Sequence, residues 1–321
     1  MGFWTDLLLV LLGMGLLFGG GEFLVRGAVS AARRFGVSEL VIGLTIVGFA
    51  TSTPELLVSV QAALKGSPEI AVGNVVGSNI VNILLIGGFT ALIASVAALG
   101  GDLKRDLRVM VASSALVLPA AAWGAIPRLG GLLLVALLAA YLYAHYRAAR
   151  NAYDKPGPAD DLVAPDTVGM EPLWRSIALL IGGILMLFAG ANWLVDGASS
   201  IARAAGISDA VVGLTVVAVG TSLPELATSI VAAWRGRTGV ALGNVVGSNI
   251  FNVLGILGAT AIIAPLPISA RFLWFDVPLM IAISIAFAVM LTAGERLGKA
   301  AGAVMLAGYA VYTVVLFVSP M

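Results

Sequence analysis

Apolar segments of about 20 residues recur along the whole chain, separated by short stretches that contain arginine, lysine, proline and glycine. A helix of about 20 apolar residues is long enough to cross the roughly 30 Å hydrocarbon core of a bilayer. The pattern therefore predicts ten membrane-spanning helices. Their predicted ranges are 4–31, 38–64, 70–98, 106–124, 129–147, 173–203, 208–234, 240–264, 272–292 and 298–318.

The second half of the chain repeats the first. Residues 43–88 align without a gap to residues 213–258, at an offset of 170, with 26 identities in 46 positions. Such self-similarity indicates a duplicated structural unit. We predict a first five-helix repeat at 1–148, a linker at 149–172 and a second five-helix repeat at 173–321. The linker contains four prolines and most of its residues are polar or small, so we expect no folded domain there.

An odd number of spans in each half means that the second half enters the membrane from the opposite side, as in many secondary transporters. The distribution of basic residues supports one orientation. With the N-terminus outside, 13 of the 18 lysines and arginines fall in inner loops, four fall in outer loops and Arg26 lies within a span. The positive-inside rule then places both termini outside and the linker in the cytoplasm. The predicted fold is an all-α membrane protein of two inverted repeats.

Composition narrows the class of protein. The chain is 60% hydrophobic and 11% charged, with a net charge of +1 and no cysteine. These values predict a multi-pass protein of a cell membrane, with the lipid bilayer as its surroundings. We see no basic face for nucleic acid, no phosphate-binding loop and no enzymatic motif such as His-Glu-x-x-His. We therefore predict neither an enzyme nor a bound cofactor, and no obligate protein partner.

Carboxylates within the predicted spans carry the candidate chemistry. Glu55 and Glu225 occupy equivalent repeat positions, each in the motif Thr-Ser-x-Pro-Glu. Helical spacing places the threonine and serine hydroxyls on the same face as the carboxylate. The proline has no N–H and leaves carbonyls one turn earlier without a helical partner. Carbonyl, hydroxyl and carboxylate oxygens together suit a hard cation such as Ca²⁺ or Na⁺.

The following span carries a polar stripe in both halves. The sequence Gly-Asn-Val-Val-Gly-Ser-Asn-Ile-x-Asn spaces three polar side chains four residues apart. They are Asn74, Ser78 and Asn82 in the first half and Asn244, Ser248 and Asn252 in the second. Paired glycines in the motif would let another helix approach closely. The alternative for the asparagines is a structural role as hydrogen-bonding groups between helices.

Both motifs resemble the two α-repeats of the sodium/calcium exchanger family, within the calcium/cation antiporter superfamily. The bacterial and archaeal members of similar length look most alike, which implies a prokaryotic inner-membrane protein. The resemblance implies an antiporter that exchanges Na⁺ for Ca²⁺ by alternating access, at a central site between the two repeats. It implies that the transported ions are bound by the following residues: Glu55, Glu225, Thr51, Thr221, Ser52, Ser222, Ser78, Ser248, Asn82, Asn252, Gly48 and Ala218. In this set the threonines, Gly48 and Ala218 contribute backbone carbonyls.

Two alternatives to sodium/calcium exchange are a proton-coupled divalent cation exchanger and a cation channel. A proton-coupled divalent cation exchanger is disfavoured, because that branch typically carries Gly-Asn-Ala-x-Glu where this chain has Thr-Ser-x-Pro-Glu. A cation channel is disfavoured because channels arrange ligands in rings about the membrane normal, whereas inverted halves favour alternating access.

We also predict that His145, the single histidine, lies at the membrane edge.

Overall fold

The computed structural model describes residues 3–35, 38–66, 68–97, 101–153, 172–205, 218–293 and 296–318. Its first half contains α1 (Phe3–Phe35), α2 (Glu39–Ile42), the π-helix π1 (Gly43–Val47), α3 (Gly48–Thr51), α4 (Thr53–Leu64), α5 (Pro68–Val81), π2 (Asn82–Gly87), α6 (Gly88–Ile93), β1 (Val96–Ala97), α7 (Gly101–Trp123), β2 (Ala125–Ile126) and α8 (Arg128–Tyr153). Its second half contains α9 (Leu173–Ala204), α10 (Ala218–Gly220), α11 (Leu223–Trp234), α12 (Thr238–Ile250), π3 (Phe251–Leu257), α13 (Gly258–Ile263), β3 (Leu266–Pro267), π4 (Phe272–Asp276), α14 (Val277–Ala293), β4 (Arg296–Leu297) and α15 (Lys299–Val318).

The expected helical membrane fold is confirmed, although the described residues do not reach the predicted count of ten spans. Eight of their helices are long and apolar enough to cross a membrane, and a bent pair, Leu40–Thr51 with Thr53–Leu64, makes a ninth. The remaining predicted span, 208–234, falls partly on residues 206–217, which lie outside the described residues. One boundary also differs, because α8 continues as a helix to Tyr153, past the predicted linker start at 149.

The first helices of the two halves, α1 and α9, run antiparallel along a seam of glycines. A Cβ atom on Gly13 would lie 2.8 Å from the carbonyl oxygen of Gly190, and one on Gly20 would lie 2.9 Å from that of Gly183. Moving forward along α1 therefore means moving backward along α9. The reverse contacts are as short, so any side chain here would collide with the opposite backbone. The seven-residue spacing of these glycines allows the two long helices to pack backbone to backbone.

Two short antiparallel ribbons link loops of the two halves. Val96 and Ala97 of β1 pair with Leu297 and Arg296 of β4. Ala125 and Ile126 of β2 pair with Pro267 and Leu266 of β3. The two ribbons occupy nearly equivalent repeat positions, since β1 shifted by 170 residues is β3. They are the strands of the described residues, and both lie between spans, so the spans themselves are helical as predicted.

The helices that carry the polar stripe form the centre of the molecule. Within the spans Pro68–Ile93 and Thr238–Ile263, 67% and 78% of the apolar window is buried, against 11–39% for the other six. Valines and isoleucines of both spans, including Val75, Ile80, Val246 and Ile250, belong to the largest apolar core. The two copies of the asparagine motif therefore lie inside the protein, away from lipid.

Candidate ion-binding site

Each Thr-Ser-x-Pro-Glu motif breaks its helix at the serine. Ser52, between α3 and α4, has φ −82° and ψ 6°, and Ser222, before α11, has φ −90° and ψ 7°. The proline follows within the first turn of the new helix in both halves. Its missing N–H is tolerated there, but the carbonyl four residues earlier loses its helical donor. The break bends the first-half pair by 42°. The predicted broken helix is thus present in the first half, and Ser222 has the same local geometry.

The two glutamates are bound by serines of the opposite half. Ser52 Oγ donates to Glu225 Oε1 at 3.0 Å, and Ser222 Oγ donates to Glu55 Oε1 at 3.1 Å. Each carboxylate is only 1% exposed. The second oxygen of each, Oε2, is buried and has no hydrogen-bond partner among the described residues. This reciprocal arrangement brings four of the predicted site residues together at the interface between the halves.

The asparagines at the start of the polar stripe hold the backbone of the glutamates. Asn74 Nδ2 donates to the Glu55 carbonyl at 3.1 Å and to Ser59 Oγ at 3.0 Å. Asn244 Nδ2 repeats this pattern with the Glu225 carbonyl at 3.2 Å and Ser229 Oγ at 2.9 Å. These amides fix the carboxylate-bearing helices against α5 and α12. Ser59 and Ser229 were not among the predicted residues, although they match each other in the repeat alignment and lie four residues after each glutamate.

Contacts with the backbone near the break also cross between the halves. Thr51 Oγ1 donates a hydrogen bond to Asn244 Oδ1 at 3.1 Å. Ser248 Oγ donates to the Gly48 carbonyl oxygen at 3.4 Å. A Cβ on Gly48 would lie 3.1 Å from the Ser248 backbone nitrogen. Thr51, Gly48 and Ser248 therefore lie close together at the helix break.

The remaining predicted residues are Ser78, Asn82, Asn252, Thr221 and Ala218. Ser78, Asn82 and Asn252 are all buried, on α5, π2 and π3. Within the described part of the chain no hydrogen bond joins any of them directly to Glu55 or Glu225. Thr221 is half-buried, and Ala218 begins α10. Asn82 and Asn252 lie in π-helical segments, a local geometry that is frequent at functional sites.

The charge at this centre is carried by the two carboxylates. Among the described residues, no group of three or more histidine, cysteine, aspartate or glutamate side chains is arranged to hold a metal ion. The ion pairs found among the described residues involve other acidic side chains, namely Asp106, Glu22 and Asp276. A cation bound here would need neutral oxygens to complete its coordination, because two carboxylates supply few of the six to eight oxygens that Ca²⁺ takes.

A second buried polar cluster was not predicted. His145 Nε2 lies 2.7 Å from Asp106 Oδ1, and the histidine is 2% exposed and the aspartate 0%. Tyr141 Oη donates to the same oxygen at 3.4 Å, and Arg105 Nε lies 3.6 Å from it. We predicted His145 at the membrane edge and did not predict that its side chain is buried inside the protein. One signal in the sequence could have pointed to this cluster. Asp106 and Asp276, which is also buried, occupy equivalent repeat positions.

Known proteins are similar to this chain in both sequence and fold. A family profile described as sodium/calcium exchanger protein matches residues 5–147 and 175–318. This chain belongs to the sodium/calcium exchanger family. The exchanger is 37% identical over 323 residues to the putative antiporter CaxA of Alkalimonas amylolytica, across 97% of this chain and 98% of that protein. It is 34% identical over 346 residues to the sodium/calcium exchanger MaX1 of Methanosarcina acetivorans, across 98% of this chain and 99% of the relative.

A solved structure extends the likeness to three dimensions. The sodium-calcium exchanger NCX_Mj, soaked with Na⁺ and Ca²⁺, superimposes with a TM-score of 0.82 at 32% sequence identity, across 97% of this chain and 98% of that one. The family resemblance drawn from the two motifs is therefore confirmed. The exchanger is a multi-pass membrane protein of a family of transporters, and its activity class is cation antiport.

Proposed function

We propose that this exchanger transports Ca²⁺ against Na⁺ by alternating access, with both ions binding between the two halves. The observation that carries the proposal is the reciprocal pair of serine–glutamate hydrogen bonds. Each bond occupies one carboxylate oxygen and leaves the other buried without a partner among the described residues. A buried carboxylate without a cationic side chain is costly unless a cation neutralises it. Two such carboxylates match the charge of one Ca²⁺.

The neutral oxygens around this pair would complete the coordination. We propose that Ca²⁺ contacts Glu55, Glu225 and the carbonyls of Thr51 and Thr221. We propose that Na⁺ contacts the predicted neutral set, namely Ser52, Ser78, Ser222, Ser248, Asn82, Asn252 and the carbonyls of Gly48 and Ala218. The relative MaX1 is a sodium/calcium exchanger, and the NCX_Mj structure was soaked with Na⁺ and Ca²⁺; both support this choice of ions. Both ions are substrates and neither is a resident cofactor.

Sharing the carboxylates would couple the two ions. A full load of Ca²⁺ and Na⁺ together would leave excess positive charge in a region of low dielectric, which is strongly unfavourable. The ions should therefore compete, and each would cross in a separate half-cycle. A requirement for the counter-ion on the opposite side of the membrane distinguishes such an exchanger from a channel with the same oxygens.

Strand pairing supports the predicted ten-span inverted topology. Because β1 and β4 pair, they lie on the same face of the membrane. Five described spans run between them: α7, α8, α9, α12 with α13, and π4 with α14. An even number of crossings is needed between them, and we propose that the predicted span 208–234 is the sixth. With that span the chain has ten in total. The antiparallel packing of α1 and α9 separately supports an odd number of spans in the first half, because α9 begins the second half. The positive-inside bias then favours outside termini.

Transport in liposomes tests the proposed exchange. Proteoliposomes loaded with Na⁺ should take up ⁴⁵Ca²⁺, and uptake should stop when internal Na⁺ is replaced by choline. An outward H⁺ gradient without Na⁺ should not replace the Na⁺ gradient. Uptake driven by H⁺ alone would support proton-coupled divalent exchange, and uptake that needs no counter-ion would support a channel.

Orientation has a separate test. A tag inserted at Gly157 should be accessible only from the cytoplasm, and tags at both termini only from outside. Labelling of the Gly157 tag in intact cells would contradict the inverted topology with outside termini. An untagged parent protein controls for background labelling.

A further inference from the structure

One asparagine outside the predicted ligand set contacts a residue inside it. Asn79 of α5 and Asn252 of π3 are both fully buried. Asn252 Nδ2 donates to Asn79 Oδ1 at 3.0 Å. Asn79 Nδ2 in turn donates to the Asn249 carbonyl oxygen at 3.3 Å and lies 3.7 Å from the Met280 sulfur. Asn79 therefore links α5 of the first half to α12, π3 and α14 of the second.

This chain of bonds leaves one orientation for each amide. The Asn249 carbonyl can only accept a hydrogen bond, so Asn79 must turn its N–H group toward it. The oxygen of Asn79 is then the atom that faces Asn252. An acceptor at that place requires the N–H group of Asn252, because two facing oxygens would repel each other. The orientation of Asn252 follows from a backbone carbonyl two contacts away.

The amide oxygen of Asn252 is consequently turned away from Asn79. This oxygen is buried and has no hydrogen-bond partner among the described residues. Asn252 follows Asn244 and Ser248 at four-residue spacing along the polar stripe. Those two side chains contact Thr51, Gly48 and the Glu225 carbonyl, close to the helix breaks. A fixed neutral oxygen on this stripe is a suitable cation ligand, whereas the N–H group of a flipped amide would repel a cation.

We propose that Asn79 is a positioning residue that keeps the amide oxygen of Asn252 available for the transported cations. The inference rests on the proposed function, because it assumes that Asn252 faces a bound ion. Partners that orient a metal ligand in this way typically change metal affinity by about 10–100-fold when they are removed. The effect of Asn79 on ion binding should therefore pass through Asn252 alone.

The equivalent residues of the other half are arranged differently. Asn249, the counterpart of Asn79, donates to the Val245 carbonyl of its own helix at 2.7 Å. Asn82, the counterpart of Asn252, has neither amide atom hydrogen-bonded within the described residues. The octapeptide Gly-Asn-Val-Val-Gly-Ser-Asn-Ile is identical in both halves, so only the tertiary contacts separate the two roles. Asn249 is therefore a matched control for Asn79.

A double-mutant cycle in the full-length exchanger tests the proposal. The variants Asn79→Leu, Asn252→Ala and their combination would be reconstituted, and the half-saturating Ca²⁺ and Na⁺ concentrations would be measured together with the maximal exchange rate. We expect Asn79→Leu to raise both half-saturating concentrations about tenfold with the maximal rate largely retained. In the Asn252→Ala background the same change should add little. Asn249→Leu should leave both concentrations near those of the parent.

Two outcomes would overturn the proposal, and they can be told apart. Equal effects of Asn79→Leu with and without Asn252→Ala would mean a general structural role. An unchanged affinity in Asn252→Ala would remove Asn252 from the ion site, and the inference with it, while Na⁺-driven Ca²⁺ uptake by the parent would still stand. If Asn79→Leu fails to fold, as judged by size-exclusion chromatography, Asn79→Ala removes the same bonds without added bulk and replaces it in the cycle.

Discussion

Two kinds of buried carboxylate occur in this exchanger, and they differ in their partners. Asp106 Oδ1 faces His145, Tyr141 and the cationic Arg105, whereas its Oδ2, like the Oε2 atoms of the two glutamates, is buried without a hydrogen-bond partner among the described residues. Glu55 and Glu225 are as deeply buried, but their side chains accept hydrogen bonds from single serine hydroxyls. No ion pair involving either glutamate is found among the described residues. Asp106 resembles a structural ion-pair network, whereas the glutamates resemble ligands that need a cation.

The difference shows how burial alone can mislead. A buried acid whose charge is balanced by side chains contributes to the packing of two helices and needs nothing more. A buried acid with only neutral partners is tolerated when its function requires it. The partners of a carboxylate, rather than its exposure, therefore separate the structural acid from the functional one. The same acid-to-amide substitution at the two places should give opposite results.

The largest expected effect is the loss of exchange in Glu55→Gln and Glu225→Gln. Each change removes one of the two charges that would neutralise Ca²⁺ in a poorly hydrated site. We expect ⁴⁵Ca²⁺ uptake to fall to background, and Ca²⁺ no longer to raise the thermal unfolding temperature, because a ligand stabilises only the state that binds it. Without ions both variants should be at least as stable as the parent, since no side-chain cation loses its partner. Uptake like that of the parent in either variant would refute the assignment of the site.

The second prediction concerns stability at the other carboxylate. Asp106→Asn should lower the free energy of unfolding by about 1–3 kcal/mol, because His145 and Arg105 lose a charged acceptor in a buried place. The half-saturating Ca²⁺ and Na⁺ concentrations should stay close to those of the parent. Thermal unfolding in detergent and liposome uptake measure the two effects separately. A loss of ion affinity at unchanged stability would place Asp106 on the transport path and end the contrast with the glutamates.

The smallest expected effect is at the neutral ligands. Ser78→Ala or Ser248→Ala removes one hydroxyl oxygen, worth about 1 kcal/mol in a typical hydrogen-bonded contact. Because Na⁺ relies more on neutral oxygens, the Na⁺ concentration that releases bound Ca²⁺ should rise several-fold, while Ca²⁺ affinity without Na⁺ changes less. Competition measured by ⁴⁵Ca²⁺ binding tests this. Equal losses for both ions would contradict separate roles for charged and neutral oxygens.

Much of the fold was available from repeated residues. The apolar segments predicted the spans, and the offset of 170 residues predicted that Glu55 and Glu225 would occupy equivalent places. The broken helix followed from Pro54, since a missing N–H has the same consequence in any surroundings. The structure also bends this span by 42° at Ser52. These features depend on neighbours along the chain, and such features can be read without tertiary contacts.

Other features depended on which residues meet in space. The bonds from Ser52 to Glu225 and from Ser222 to Glu55 join residues 173 and 167 positions apart. Asp106 and His145 are 39 positions apart on different helices, so no local pattern announced their contact. The identical motifs at Asn79 and Asn249 acquire different partners for the same reason. A sequence repeat predicts equivalent positions, but it does not determine which neighbour each position contacts in a given conformation.

By itself, the sequence determined that this protein is a duplicated membrane protein whose two glutamates lie in broken helices, because hydropathy and proline chemistry act locally and a repeat is visible by aligning the chain with itself. Only the tertiary structure decided that the carboxylates are shared between the halves, that Asp106 is balanced by His145, and that Asn79 orients Asn252. These are properties of helix packing. They depend on where the backbones approach, as at the glycine seam of α1 and α9, and the free energy of such contacts belongs to pairs of residues that are distant in the chain.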